Sequence, residues 1–385
     1  MSVVHPQGFR AAGVKAGIKA SGNPDLALVV NDGPFHAAAG VVTRNKVKAA
    51  PVLWSEQVLA TGRLRAVVLN SGGANACTGH QGFQTAHATA EEAARLLGYG
   101  AIEVAVCSTG LIGEQLPRER VLAGVGAAHA ALGADETAGK AAATAIMTTD
   151  TVAKTVAHSD SAGWRIGGMT KGAGMIAPSM ATMLTIITTD AELDSGVLDE
   201  ALRAAVRVSF DRLDIDGSMS TNDTVVLMAS GAAGPADPLA FTAALTDACR
   251  DLARQMQADA EGVTKRVTVV VRGAASEDDA VLAARTIARD SLVKTAMFGS
   301  DPNWGRIAAA AGYSGADLNP ESLDVTINGV LLCQGGCAAG DRAAADMTGA
   351  DVLVEVELGL GSATAEILTT DLSHAYVEEN SAYSS

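Results

Sequence analysis

The amino-acid sequence predicts an α/β protein of layered sheets covered by helices, and three observations carry that prediction. Short β-branched runs recur along the chain, Ala-rich amphipathic stretches of helical length lie between several of them, and aromatic residues make up only 3% of the composition. A core with so few rings is built from Ala, Val, Leu and Ile, and the 41 glycines supply many tight turns. At 48% hydrophobic the chain is globular rather than disordered, and 385 residues suffice for a large core and two structural lobes.

The elements follow in order. "LALVV" (26–30), "RAVVLN" (65–70) and "VAVC" (104–107) read as strands, and "FQTAHATAEEAARLLG" (83–98) reads as a helix between the second and third. "TVVLMA" (224–229) and "RVTVVVRG" (266–273) are strands on either side of the helical "PLAFTAALTDACRDLARQMQADA" (238–260). The last part, with "LDVTINGVLLC" and "DVLVEVELG", is strand-rich with less helix between. No long low-complexity linker divides the chain. Thr-Thr-Asp occurs at 148–150, 188–190 and 369–371, each time after apolar residues. Strand ends turning out to solvent account for all three; a shared active site is the second reading.

Composition excludes some partners. The formal charge of −15 makes nucleic acid and anionic membranes poor partners, and an anionic substrate needs a local cationic pocket. The five cysteines (Cys77, Cys107, Cys249, Cys333, Cys337) are odd in number and follow no disulfide spacing, which fits a reducing cytoplasm. "CQGGC" reads as a glycine-rich turn between strands, because no second Cys or His pair completes a metal site. The N-terminal segment has glycines and charges where a signal peptide needs an apolar core. Residues 172–189 have the length of a membrane span, but their Gly, Pro, Ser and Thr content argues against one.

Several chemistries fail on spacing. "GADETAGKA" (133–141) mimics a P-loop, yet five residues separate its glycines and Ala141 stands where Ser or Thr should hold magnesium. No G-x-S-x-G is present, and the seven histidines show no ligand spacing. "FDRLDIDGSMSTNDT" (210–224) lacks the calcium-loop order and reads as a polar loop between strands. "NSGGANACTG" (70–79) and "CSTGLIGE" (107–114) are small-residue turns after apolar runs; each is a plain β-turn or a cradle of N–H groups for an oxyanion.

The stretch "KGAGMIAPSMATMLTIITTD" (171–190) stands apart, with eighteen uncharged residues after a lone lysine. A chain that cuts itself before a Thr gains a hydroxyl nucleophile and a free α-amine base on one residue. Ala181–Thr182, a small residue before the strand-like "MLTIITT", suits such a cut; a buried strand after a glycine loop is the plainer alternative.

At this point the sequence resembles the ArgJ family, the ornithine acetyltransferases or glutamate N-acetyltransferases of arginine biosynthesis. The resemblance runs in order through "GIKASGNPDLALV" (17–29), "NSGGANACTG", "CSTGLIGE", "AIMTTDT" (145–151) and "KGAGMIAPSMATML" (171–184). It continues in "DIDGSMSTNDT" (214–224), "DAEGVTKR" (259–266), "MFGSDPNWGRI" (297–307) and "ENSAYSS" (379–385), and so spans nearly the whole chain. It implies a layered α/β fold similar to the self-processing aminopeptidases, with N-terminal-nucleophile chemistry. It implies a cut between Ala181 and Thr182, giving an α chain (1–181) and a β chain (182–385) that stay together, in an α2β2 heterotetramer. Thr182 matches the nucleophile, Thr109 and Gly110 the oxyanion hole, and Thr148, Lys171, Thr182, Glu261, Asn380 and Ser385 the substrate-binding positions.

The function so implied is acetyl transfer from N2-acetyl-L-ornithine to L-glutamate through an acetyl-threonine enzyme, in the cytoplasm, with no metal or organic cofactor. Some members of the family also take acetyl from acetyl-CoA, and the sequence leaves that donor open. Two other classes remain: a self-processing aminopeptidase or amidase that gives the acyl group to water, and a non-catalytic binding protein that stays one chain of 38.8 kDa.

Overall fold

The computed structural model of the chain describes residues 2–177 and 183–382, and every structural statement concerns those residues. They form two compact units, as the length leads one to expect. The first runs to Asp211 and from Ser218 to Met256; the second takes Arg212–Gly217 and the chain from Gln257 onward.

The first unit begins with β1 (Phe9–Val14), β2 (Leu26–Asn31), β3 (Ala38–Val42), α1 (Ala50–Leu59), β4 (Ala66–Asn70), α2 (Gly79–Leu97) and β5 (Val104–Ser108). Then come α3 (Arg118–Ala130), α4 (Glu136–Ala145), β6 (Lys154–Ser159), β7 (Arg165–Lys171), β8 (Leu184–Glu192), α5 (Ser195–Arg207), β9 (Thr224–Pro235) and α6 (Pro238–Ala258), whose last two residues fall in the second unit. One sheet has the order β1-β2-β4-β5 and the other β3-β9-β8-β7-β6.

Continuous apolar runs become buried strands: every residue of β2, β4 and β5 is buried. The β4–β5 pair is parallel, and α2 supplies the crossover that a parallel pair requires. Gly98, at φ +73°, ends α2 in the left-handed conformation that glycine adopts freely. The P-loop look-alike is a helix start, because the Asp135 carboxylate caps α4 by accepting the Ala138 N–H at 2.8 Å. A Cβ at Gly13 would lie 2.0 Å from the Ala141 carbonyl oxygen, so α4 can pack on β1 only because position 13 is bare. The core runs without a break from α1–α4 through the first sheet to Met169, Leu184, Ile186, Val226 and Met228 of the second.

The second sheet sets up the site. β7 runs antiparallel to β8, β8 parallel to β9, and β9 antiparallel to β3. In register, Lys171 lies beside Leu184, Leu184 beside Thr224 and Thr224 beside Val42. The end of β7 and the starts of β8 and β9 therefore meet at one edge.

The second unit holds β10 (Arg266–Ala274), α7 (Glu277–Arg289), α8 (Ser291–Phe298), α9 (Trp304–Gly312), β11 (Asp324–Ile327), β12 (Val330–Gln334), β13 (Cys337–Ala338), β14 (Asp351–Glu357), β15 (Ala363–Thr370) and α10 (His374–Ala382). Its sheet has the order β13-β12-β11-β14-β10-β15, with only β10 and β14 parallel. Alternation in β14 turns Val352, Val354 and Val356 into the core. "CQGGC" is the β12–β13 hairpin, with Gly335 and Gly336 both at positive φ, as a tight hairpin turn demands.

The three Thr-Thr-Asp triplets do not turn out to solvent. Asp150, Asp190 and Asp371 are buried, and each carboxylate accepts two backbone N–H groups: from Thr148 and Gly172, from Gln7 and Arg165, and from Thr264 and Lys265. The acid in each triplet is an internal clamp on neighbouring backbone. The polar stretch at 210–224 connects a helix, α5, to β9, rather than two strands. Among the described residues no helix is long and apolar enough to cross a membrane, and no group of His, Cys, Asp and Glu is placed to hold a metal ion.

Candidate active site

β5 delivers the "CSTG" turn. Its last residue, Ser108, donates its hydroxyl to Asn70 Oδ1 at 2.5 Å, and Asn70 Nδ2 donates to the Gly73 carbonyl at 3.0 Å. The Thr109 N–H is committed to the Asn70 carbonyl, and the Thr109 carbonyl accepts from Gly73 N–H. The two small-residue turns of the sequence are thus one structure. Gly110 follows at φ +128°, and a Cβ there would meet Gly73 N at 2.7 Å and Gly73 Cα at 2.9 Å. Both atoms are backbone, so position 110 admits only glycine. Among the described residues no hydrogen bond uses the Gly110 N–H.

Lys171 closes this turn from the side. It is 1% exposed, and Nζ donates to Thr109 Oγ1 at 3.4 Å. A hydroxyl oxygen that accepts from an ammonium keeps its own proton for another acceptor. The Thr109 O–H and the Gly110 N–H are therefore two donors from adjacent residues.

Asp150 organises the charges around Lys171. Its carboxylate accepts from Lys154 Nζ at 2.7 Å, Gly172 N at 2.7 Å and Thr148 N at 2.9 Å, with the Thr148 hydroxyl at 3.5 Å. Burial alone would raise its pKa; the ammonium groups of Lys171 and Lys154, together with the hydrogen bonds, outweigh burial and bring it down to about 2. Lys154 and Asp150 have side chains fully removed from water. Lys19 reaches the same turn, donating to the Met147 carbonyl at 2.6 Å and the Pro24 carbonyl at 3.1 Å. Partial burial pushes its pKa down against the pull of Asp25, and the charge of Lys171 adds to the lowering. An acidic protein has here assembled a local cluster of three lysines around one carboxylate.

Asn222 and Asp223 join the turn to the second sheet. Asn222 Nδ2 donates to the Ala74 carbonyl at 2.6 Å and the Ser108 carbonyl at 2.8 Å, fixing both small-residue turns. Asp223, wholly buried, accepts the Met183 N–H on Oδ1 at 3.1 Å. Burial raises its pKa well above the usual carboxylate range, although the Met183 N–H and the Lys171 charge pull the other way.

In the second unit the predicted substrate residues Glu261 and Asn380 meet. Gly262, at φ +61°, lets the start of α10 lie on it: a Cβ there would stand 2.2 Å from Tyr376 N. Ser373 Oγ donates to the Gly262 carbonyl at 2.6 Å, and about two turns further on Asn380 Nδ2 donates to Glu261 Oε2 at 2.9 Å. Lys294 lies buried in this unit with its ammonium on Thr369 Oγ1 at 3.1 Å and on the Thr370 carbonyl. Burial brings its pKa down to about 8, against Asp214, Asp216 and Asp371.

Of the residues predicted from sequence, Thr109, Gly110, Thr148 and Lys171 come together in the first unit, and Glu261 and Asn380 in the second. Ala181, Thr182 and Ser385 lie outside the described residues. Sequence reasoning missed Lys19, Asp150, Lys154, Asn222 and Asp223 as site residues. The one available signal was the acid of the first Thr-Thr-Asp, with "STND" at 220–223 inside a motif already noted for other reasons.

Comparison with known proteins places the chain in a family. The model of the ArgJ family matches residues 10–385. A protein of Mycobacterium leprae, "Arginine biosynthesis bifunctional protein ArgJ", is 60% identical over 100% of this chain and 96% of its own length. Its namesake from Thermobifida fusca is 57% identical over the whole of both chains. Among solved structures, the bifunctional protein ArgJ of Bacillus halodurans is 41% identical over 51% of this chain and 98% of its own, with a TM-score of 0.50. The ornithine acetyltransferase of Mycobacterium tuberculosis, solved with ornithine, is 63% identical over 47% of this chain and 96% of its own, with a TM-score of 0.46.

Proposed function

We propose that this chain, which belongs to the ArgJ family, is an acetyltransferase of arginine biosynthesis whose nucleophile, Thr182, is exposed by self-cleavage after Ala181. It moves the acetyl group of N2-acetyl-L-ornithine to L-glutamate and releases L-ornithine and N-acetyl-L-glutamate. The observation that carries the reading is the pair of donors at Thr109 and Gly110, held by Lys171 and by Asn222. Two such donors, fixed before the substrate arrives, suit the oxyanion of acyl transfer.

Self-cleavage balances simply. Thr182 Oγ attacks the Ala181 carbonyl carbon, the peptide C–N bond breaks, and the hydroxyl proton passes to the Thr182 nitrogen. Water then hydrolyses the ester, leaving a carboxyl on Ala181 and a free amine and hydroxyl on Thr182. The fragments 1–181 and 182–385 would stay together, because β7 and β8 are neighbouring strands of one sheet yet fall on opposite sides of the cut. The Bacillus halodurans chain is matched over 98% of its length by 51% of this chain, a proportion that fits one fragment of a cut protein.

Transfer then takes two steps. Thr182 Oγ attacks the acetamide carbonyl, the Thr182 amine takes its proton, and ornithine leaves with that proton on its α-nitrogen. The neutral α-amine of glutamate attacks the acetyl ester, and the proton returns to Oγ as N-acetylglutamate departs. The Thr109 O–H and Gly110 N–H stabilise the oxyanion in both steps. Lys171 and Thr148 supply substrate contacts in a cationic pocket that suits a carboxylate, and Glu261, Asn380 and Ser385 bind substrate as well. No metal or organic cofactor takes part in this route, acetyl-CoA is a second donor to be tested, and the working form is an α2β2 assembly in the cytoplasm. The test is a denaturing gel with N-terminal sequencing. Wild type should give two fragments, one beginning at Thr182, and Thr182→Ala should remain one inactive chain; a Thr182→Ala protein still cut at this bond would refute the reading.

A further inference from the structure

The acyl-transfer scheme gives Lys19 no task, yet contacts on both sides tie it to groups that the scheme uses. The Asp25 carboxylate, wholly buried, accepts the N–H groups of Ala16 and Ile18 at 2.6 Å and of Lys19 at 2.9 Å, and so shapes the loop that presents Lys19. Ile18 of that loop lies against Gly72, where a Cβ would stand 2.4 Å from Ile18 Cγ2. Gly73 follows, donating to the Thr109 carbonyl and packing on Gly110. On the other side Lys19 Nζ donates to the Met147 carbonyl at 2.6 Å. That carbonyl shares one peptide unit with the Thr148 N–H, which Asp150 accepts at 2.9 Å. Asp150 also takes the Gly172 N–H, and Lys171, the preceding residue, reaches Thr109. The contacts thus run in a closed ring that begins and ends at the Thr109–Gly110 turn, with Lys19, Thr148 and Lys171 all members of it.

Charge gives this placement a meaning. Lys154 is neutralised by Asp150, and Asp25 is occupied by backbone N–H groups. Lys19 Nζ is held only by neutral oxygens among the described residues, the Met147 carbonyl and, at 3.1 Å, the Pro24 carbonyl. An ammonium carries three N–H groups, so two carbonyls leave a third for another acceptor. Lys19 is partly buried and lies within electrostatic reach of Lys171. The two proposed substrates differ in a way that such a pair of cations can read. Acetylornithine has an α-carboxylate and a side-chain ammonium, whereas glutamate has an α-carboxylate and a side-chain carboxylate. The extra anion of the acceptor calls for an extra cation.

We propose that Lys19 is a specificity-determining residue for the acceptor, binding the side-chain carboxylate of L-glutamate while Lys171 takes the α-carboxylate that both substrates share. The same charge opposes the side-chain ammonium of ornithine, so it both attracts the acceptor and repels the spent donor. This inference rests on the acetyl-transfer reading, and its test separates the two.

The experiment uses Lys19→Met and Lys19→Arg in the full chain. In a two-step transfer, kcat/KM for acetylornithine reports formation of the acetyl-enzyme and kcat/KM for glutamate reports its discharge. L-Glutamine, which lacks the side-chain charge, serves as a second acceptor. Loss of a charge-assisted hydrogen bond should lower kcat/KM for glutamate by about ten-fold to a hundred-fold in Lys19→Met, with kcat/KM for acetylornithine within about two-fold of wild type or higher. The preference for glutamate over glutamine should fall by the same factor, and Lys19→Arg should recover most of it. A lysine that only braces the ring would lower all three values together. Equal losses for donor and both acceptors, or an unchanged preference for glutamate over glutamine, therefore overturn the assignment. If Lys19→Met fails to fold, a crystal structure of the wild-type protein with glutamate decides. The side-chain carboxylate should lie within hydrogen-bond distance of Lys19 Nζ, and a carboxylate beyond that reach overturns the proposal. Wild-type protein that transfers no acetyl to glutamate would remove the acetyl-transfer reading, and this inference with it.

Discussion

Replacing Asp150 by Asn should be the most damaging single change among the charges of the first unit. The carboxylate neutralises Lys154, fully buried beside it, and lies in the field of Lys171, also buried. Its pKa of about 2, against an ordinary 3.8, is a linkage statement. A drop of nearly two units corresponds to about 2.5 kcal/mol of stability at neutral pH. Because the folded pKa is the lower one, that contribution is complete above about pH 4 and is lost as pH falls toward 2. Asparagine can still accept one N–H, but it removes the negative charge bonded to the buried Lys154 ammonium, and breaking a buried pair from one side costs about 3–5 kcal/mol. The assay is urea unfolding of wild type, Asp150→Asn, Lys154→Met and the double variant at pH 7. Asp150→Asn should lose about 3–5 kcal/mol, and the double variant should lose at least about 1 kcal/mol less than the sum of the single losses. An Asp150→Asn protein within 1 kcal/mol of wild type would show that the lysines do not depend on this carboxylate, and the reasoning would fail.

Three further outcomes follow from the same geometry. If the Thr109 hydroxyl is an oxyanion donor as proposed, Thr109→Ala should reduce kcat by about 10²–10³ with KM far less affected, measured by steady-state assay on cleaved protein. Lys171→Met should raise KM for both acetylornithine and glutamate and move the pH at which the amine becomes a base upward, because a neighbouring positive charge is gone; wild-type constants and profile in cleaved Lys171→Met would remove the lysine from the site. Thiol labelling of the native protein should modify Cys77 and Cys337, which are exposed, and spare Cys107 and Cys249, whose burial pushes their pKa values up to about 12.

The sequence made the local elements legible and left the long-range ones hidden. "LALVV", "VAVC" and "RVTVVVRG" announce β2, β5 and β10 because a β-branched run cannot bury its side chains otherwise. The order β3-β9-β8-β7-β6 leaves no comparable mark where β9 joins β3 and β8, since those two pairings link segments that are not consecutive strands in sequence. Lys171 stood out as a lone charge before an uncharged stretch, and the structure buries it. Asp150 was misread as a solvent-facing strand end because its partners, Lys154 and Gly172, converge only after β6 and β7 pair. Asn222 and Asp223 hid in a loop whose acids resembled a calcium site. Their work is hydrogen bonding to the Ala74 and Ser108 carbonyls and to the Met183 N–H, contacts that no spacing rule encodes. Glu261, Asn380, Thr109 and Gly110 were singled out by family resemblance alone, and the structure adds that Asn380 bonds Glu261 and Lys171 bonds Thr109.

The central claim is that acetyl rests on Thr182 between donor and acceptor. Rapid-quench mass spectrometry of the fragment beginning at Thr182 tests it most directly. Mixed with N2-acetyl-L-ornithine and no glutamate, that fragment should gain the mass of one acetyl group as ornithine appears, and adding glutamate should discharge it into N-acetyl-L-glutamate. A fragment that turns the donor over without ever gaining the acetyl mass, or an acetyl group that passes to water as fast without glutamate as with it, would contradict the account.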